Sequence, residues 1–322
     1  MTLAAAAHTA VPPPDNYQRL IEATRVLPTL SVAVIHPVDG VSLGAALEAA
    51  DMGLIVPTLV GPRAKILGAA QELGRDISAL PLVEAPHSHG GAETGVELVK
   101  AGQVEAIMKG SLHTDELMGA VVAKATGLRT ARRISHCFVM DVPGYPHPLI
   151  ITDAAINIAP TLAEKRDITQ NAIDLAHALR IPEVRVAILS AMETVNPAVP
   201  STVEAAALCK MADRGQITGA HLDGPLALDN AIDLEAARIK GIHSAVAGQA
   251  NILVVPDLEA GNMLAKSLSF LAHARSAGIV LGARVPIILT SRADTRVARL
   301  ASCAVASMLA QARRDNLIKA IG

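Results

Sequence analysis

The chain has 322 residues, enough for about two domains at ~150 residues each, and 51% of them are hydrophobic. Mean hydropathy is +0.38, yet the apolar stretch from Ser267 to Thr290 is broken by His273, Arg275 and Arg284, so it offers no ~20-residue uncharged membrane span. Charge is nearly balanced at −2, and the aromatics are only Tyr17, Phe138, Tyr145 and Phe270, which argues against stacking platforms and nucleic-acid binding.

In chain order, residues 1–14 are Ala-rich, lack a basic leader region and run into Pro12-Pro13-Pro14. They read as a flexible arm rather than a secretory signal. Strands are expected at Ser31–His36, Leu54–Gly61 and Val104–Lys109, followed by a helix over His113–Ala125. Further strands are expected at Ile134–Val142 and Leu149–Thr152, separated by the proline-rich stretch Pro143–Pro148, then a helix over Thr161–Leu179. The strand Val184–Ser190 precedes helices at Ser201–Arg214 and Leu228–Lys240. The strand Ile252–Pro256 leads to a helix over Glu259–Ala277, and Val285–Thr290 to a final helix, Asp294–Arg313.

Near-continuous apolar strands alternating with amphipathic helices predict an α/β fold with a mostly parallel sheet covered on both faces. The break at Pro143–Pro148 places a domain boundary there, since such a stretch continues neither a helix nor a central strand. A second crossing is expected near Thr290. The division is then 15–145 plus 292–322 for a first α/β domain, and 146–291 for a second. Cys137, Cys209 and Cys303 are scattered without metal-ligand spacing, which suits a reducing cytoplasm and not a structural zinc site.

Ligands of open α/β sheets bind where strand ends feed helix starts. None of those loops carries GxGxxG, GxxxxGK[ST] or GxSxG, which counts against dinucleotide, P-loop and hydrolase chemistry. Lys109-Gly110-Ser111-Leu112-His113-Thr114 follows a strand and opens a helix. Gly110 would admit a ligand to the backbone, and free N–H groups beside Lys109 would favour an anion. The plainer alternative is a turn capped by Ser111 or Thr114, with Lys109 solvated. Ser291-Arg292 before a helix is an anion clamp, with Asp294 or Thr295 placed to cap. Val254–Asn262 is a third such loop, in which Gly261 signals close packing or ligand approach. Arg132-Arg133 and Asp153 to Asn157 are further polar spots.

Taken together, these loops resemble the phosphate acetyl/butyryltransferase (phosphotransacetylase) family. The matching segments are Gly110–Thr114, ITDAAINIAP at 151–160, DGPLALDNAI at 223–232, VAGQANILVVPDLEAGN at 246–262 and GARVPIILTSRADT at 282–295. The resemblance implies two three-layer α/β/α domains around a cleft, a last helix returning to the first domain, and a cytoplasmic homodimer. The implied reaction is acyl-CoA + phosphate ⇌ acyl phosphate + CoA with a short-chain (acetyl or butyryl) acyl group, by direct thiolate attack in a ternary complex. Coenzyme A and phosphate are then substrates, and no tightly bound cofactor or metal is required.

Carried over by this resemblance, Ser291 and Arg292 match the family's phosphate-binding pair, and Arg133 lies where the family has an arginine near the phosphate. Lys109, Gly110, Ser111, Thr114, Asp153 and Asn262 complete the expected binding set. The aspartate that the acetyltransferase branch places seven residues after the serine, to deprotonate the thiol, is Ala298 here. Asp294, one helical turn earlier, is the expected substitute. Ala154 stands where some acetyltransferases carry a cysteine, so a covalent cysteine route gains no support. The short Ser-Arg-Ala-Asp-Thr form is closer to the butyryltransferase-like branch. Two alternatives follow from the same residues. One is a regulatory or scaffold paralogue that binds CoA or acyl phosphate without catalysis, suggested by Ala298. The other is a metal-dependent decarboxylating dehydrogenase of similar architecture, which would need a carboxylate cluster that is not evident here.

Overall fold

A computed structural model describes residues 16–291 and 294–318. The expected N-terminal arm, 1–14, therefore lies outside the described residues. The strands are β1 (Leu30–Ile35), β2 (Ile55–Gly61), β3 (Leu82–Glu84), β4 (Ala106–Lys109), β5 (Ser135–Asp141), β6 (Leu149–Thr152), β7 (Arg185–Leu189), β8 (His221–Leu226), β9 (Ile252–Val254), β10 (Arg275–Leu281) and β11 (Ile287–Ile288). The helices are α1 (Asn16–Thr24), α2 (Gly40–Asp51), α3 (Arg63–Glu72), α4 (Ser88–Lys100), α5 (Thr114–Val122), α6 (Leu162–Ala178), α7 (Pro200–Asp213), α8 (Leu228–Ile232), α9 (Leu234–Ile239), α10 (Leu258–Phe270) and α11 (Arg296–Arg314).

The α/β class is observed, in a particular form. The strands make one continuous 11-stranded sheet in the order β3-β2-β1-β4-β11-β10-β5-β6-β9-β7-β8. From β3 to β11 all strands are parallel, and from β6 to β8 they are again parallel. Between the two blocks, β10 runs antiparallel to both β11 and β5, and β5 antiparallel to β6. The Pro143–Pro148 stretch connects β5 to β6 across this seam.

The two faces of the sheet are covered differently, and that difference makes the cleft. On one face a single core runs the width of the sheet, with Leu43 of α2, Ile173 of α6, Leu208 of α7 and Leu309 of α11 packed on Val32, Met108, Ile150 and Val186. On the other face there are two separate cores. One packs Val96 of α4 and Leu117 of α5 against Ile35, Ile107 and Val280. The other packs Ala231, Ala237 and Ala265 of α8 to α10 against Ile151, Leu253 and Val255. Small side chains dominate these contacts because the chain has almost no aromatics to fill wider gaps, so helices sit close on the sheet. Between the two front layers the middle strands are left uncovered.

Two helix expectations need correction. The segment Leu228–Lys240 is two short helices, because Asp233 leaves the helical conformation and caps α9 by accepting from the Ala236 N–H at 2.7 Å. The expected helix Glu259–Ala277 stops at Phe270, and Arg275 already belongs to β10. His273, at φ 55, turns the chain between them. No helix among the described residues is long and apolar enough to cross a membrane.

Candidate active site

The uncovered middle of the sheet is the floor of a cleft of about 790 Å³. His136 and Phe138 of β5 form that floor, the start of α5 and the 289–298 segment form one wall, and α10 forms the other. Lys109, Thr114, Ser291, Asp294 and Asn262, all expected from sequence, line this space together. A smaller recess of about 190 Å³ opens beside it, lined by Gly110, Ser111, Asp39 and Arg299, and it shares Lys109, Thr290 and Ser291 with the cleft. Arg292 lies outside the described residues.

The Lys109–Ser111 turn is built by the neighbouring strand. The N–H groups of Gly110 and Ser111 donate to the carbonyls of Ile35 and His36, each at 2.9 Å. Any Cβ on Gly110 would collide with the Ile35 carbonyl oxygen, so the glycine is required for this strand-end packing and not for ligand approach. Lys109 is 5% exposed, and its ammonium reaches the Gly110 carbonyl at 3.4 Å. Ser111 does not cap α5. That position belongs to His113, whose backbone N–H donates to Glu116 Oε2 at 3.0 Å. Asp39 caps α2 by accepting from the N–H groups of Val41 and Ser42 at 2.9 and 2.8 Å. Burial alone would raise its pKa, but hydrogen bonds from Ser111, Ser42 and Val41 outweigh that and hold the carboxyl below its ordinary range.

On the facing wall, Thr295 caps α11, accepting from the Ala298 N–H at 3.2 Å. That leaves Asp294 for another task. Its Oδ2 accepts from the Ser291 N–H at 2.6 Å. Burial raises its pKa, while the Ser291 hydrogen bond and the charges of Arg299 and Lys109 act in the opposite direction. A carboxylate in that state is a competent proton acceptor near neutrality. Asn262 donates to the Ala154 carbonyl at 3.2 Å and faces the cleft from α10. The Gly261 beside it is a close-packing glycine, since a Cβ there would meet Val255 at 2.7 Å and Ala154 at 3.0 Å.

Arg133 and Asp153 line neither space. They belong to a network at the opposite end of β5. Asp153 is buried and accepts from the N–H groups of Ala155, Ile156 and Asn157 and from the Asn157 side chain, shaping the loop after β6. Arg133 donates to Asn157 Oδ1 at 2.6 Å and pairs with Glu164 at 2.9 Å. Two residues absent from the sequence expectations line the site. Arg299 of α11 is 5% exposed and donates to Thr290 Oγ1 at 3.1 Å and to the Ser291 carbonyl at 2.8 Å. His136 is fully buried, and desolvation, opposed only by a contact with the Leu289 backbone, lowers its pKa to about 4. Its imidazole is therefore neutral at pH 7. The thiols of Cys137, Cys209 and Cys303 are pushed up to about 12 by burial and none lines the cleft, so the described residues offer no cysteine nucleophile there.

Comparison with known proteins agrees with this geometry. A family model described as phosphate acetyl/butaryl transferase matches residues 90–307. The chain is 63% identical over 308 residues to a phosphate acetyltransferase of Rhizobium meliloti, covering 96% of this chain and 98% of that one. It is 38% identical to a phosphate butyryltransferase of Clostridium acetobutylicum, over 92% of this chain and 98% of that one. The higher identity thus goes with the acetyl enzyme, against the expectation drawn from the short Ser-Arg-Ala-Asp-Thr form. Among solved structures, a branched-chain phosphotransacylase from Enterococcus faecalis V583 superposes with a TM-score of 0.76 at 29% identity, covering 88% of this chain and 99% of that one. A model match across most of the chain, near-full-length relatives and a shared fold lead to one conclusion: the chain belongs to the phosphate acetyl/butyryltransferase family and is an acyltransferase.

Proposed function

We propose that the protein transfers a short acyl group, acetyl in preference to butyryl, between coenzyme A and phosphate by direct thiolate attack in a ternary complex in the cleft. The observation that carries this is the meeting of Lys109, Ser291 and Asp294 on one cleft, with a carboxyl whose pKa is raised. A free thiol has a pKa of ~8.5 and is only a few per cent thiolate at pH 7. In the forward direction Asp294 takes the proton from the CoA sulfur. The thiolate then forms the C–S bond at the acyl carbonyl as the C–O bond to phosphate breaks, and the proton leaves with phosphate or to solvent. Lys109, Ser291 and Arg292 hold the phosphoryl oxygens and the charge that develops on them, an effect that is usually the largest contribution in acyl transfer. Holding both substrates side by side supplies the proximity term.

Ala298 places a methyl group on the cleft wall where a branch of the family has its base. Asp294, one turn earlier and on the same wall, takes over that task and makes the non-catalytic alternative unnecessary. Arg133 and Asp153 support the site by ordering the β5 and β6 ends, and Asn262 contacts substrate from α10. The two parallel blocks act as two domains, residues 15–145 with 292–322 and residues 146–291, meeting at the β5–β10 seam. A cytoplasmic setting accords with three free cysteines. The chain pairs as a homodimer through the second block, where Leu234, Ile239, Met263, Phe270 and Leu271 stand exposed on or next to α9 and α10.

The acyl preference is tested by phosphate-dependent CoA release from acetyl-, propionyl- and butyryl-CoA. The expected kcat/KM falls by roughly tenfold or more from acetyl to butyryl, the scale at which a pocket discriminates added methylenes. A higher value for butyryl-CoA would overturn the acetyl assignment.

A further inference from the structure

Arg299 poses an energetic problem in the empty enzyme. It sits in the first turns of α11, four residues after the Thr295 cap, where the helix dipole disfavours a cation. It is 5% exposed, and among the described residues its guanidinium makes no ion pair. Its partners are a hydroxyl and a carbonyl, those of Thr290 and Ser291, and its Nε–H is buried with no acceptor. A buried charge without a counter-charge is strongly destabilising unless something compensates it. The nearest carboxylate of the recess, Asp39, is already engaged by the α2 N-terminus and Ser111. A second buried cation, Lys109, lines the same recess of about 190 Å³. Two buried cations on a recess that opens beside the cleft, with hydroxyls of Ser111, Thr290 and Ser291 around it, make an anion site whose anion is not part of the chain.

We propose that Arg299 is a direct ligand of the substrate phosphate, and that the phosphoryl oxygens supply the counter-charge its buried guanidinium lacks. The proposal rests on the phosphate acyltransferase reading above and deepens it. Phosphate enters the recess between Arg299 and Lys109, which fixes one side of the ternary complex, and CoA occupies the larger cleft. Holding the Thr290–Ser291 turn is then the second task of the same guanidinium. A purely structural Arg299 would perform only that second task.

The two roles separate experimentally. The probe is inorganic phosphate, titrated against the thermal midpoint of the wild-type protein and of Arg299→Met and Arg299→Lys. The wild type is expected to gain thermal stability with phosphate, and Arg299→Met to lose that phosphate-dependent gain. In turnover, Arg299→Met raises the phosphate KM tenfold to a hundredfold with the CoA KM little changed. Arg299→Lys keeps the charge but not the fork, so its phosphate KM lies between the two. An Arg299→Met protein with the wild-type phosphate shift and phosphate KM would overturn the proposal, whatever its starting stability. Should Arg299→Met fail to fold, an unchanged phosphate KM in Arg299→Lys overturns it equally. A wild-type protein showing neither a phosphate shift nor phosphate-dependent turnover would instead overturn the acyltransferase reading on which the proposal stands.

Discussion

Asp294 is the residue on which the proposed chemistry turns, and its environment makes a two-sided prediction. Burial raises its pKa above the ordinary ~3.9 of an aspartate. As a base it works only when ionised, so kcat/KM should fall as pH drops through that raised value. Asp294→Asn should lose the acid limb and about 10²–10⁴-fold in rate, the usual contribution of a positioned base. The stability sign is opposite. A carboxyl with a higher pKa in the folded state contributes stability that is fully present below the unfolded pKa and lost as pH rises through the folded one. Asp294→Asn should therefore be more stable than wild type at pH 7, with the difference closing in acid. An unaltered pH–rate profile in the variant would remove Asp294 from the chemistry. Of the site, Lys109, Thr114, Ser291, Asp294 and Asn262 were legible from loops at strand ends, a positional rule that needs no contact information. Arg299 and His136 were not. An arginine inside a helix reads as a solvated face, and a histidine inside an apolar strand reads as core, until packing shows what surrounds them. The one available clue to Arg299 was a cation in the first turns of a helix, where the macrodipole does not favour it.

At the scale of elements, apolar runs located β1, β2, β4 to β7, β9 and β11, because a strand buried on both faces carries no polar interruption. The strands that escaped have physical reasons. β3, Leu82–Glu84, is a short edge strand with little burial. β8, His221–Leu226, is also an edge and is interrupted by Gly224 and Pro225. β10 follows α10 through Leu271 to Ala274 without a glycine or proline, so its start is hidden in what reads as one helix. α10 also carries the element-scale prediction. Phe270 is 68% and Leu271 80% exposed at its end, while Lys266 and Phe270 reach the cleft. Covering these side chains by a second copy would remove a large apolar cost at about 25 cal/mol per Å². Light scattering should give a dimer mass for wild type, and Leu271→Asp combined with Met263→Asp should shift it toward the monomer. A wild-type mass of one chain at micromolar concentration would contradict the dimer.

For the whole molecule, the continuous core on one face and the divided core on the other determine where chemistry occurs. α11 crosses the continuous face, touching α1, α2, α6 and β10, and so ties the middle of the sheet to both blocks. Its first turns meanwhile present Ala298 and Arg299 to the substrate spaces. The single sheet was not legible in the sequence, which suggests two separate domains, because the pairing of β5 with β10 joins residues more than a hundred positions apart. The central claim is that this cleft joins an acyl-CoA to phosphate. Its most direct test is the release of free CoA thiol from acetyl-CoA by the purified wild-type protein as phosphate is titrated from zero. The account predicts no release without phosphate and saturable release with it, accompanied by stoichiometric acyl phosphate. Release that does not depend on phosphate, or no release from folded protein that binds CoA, would contradict it.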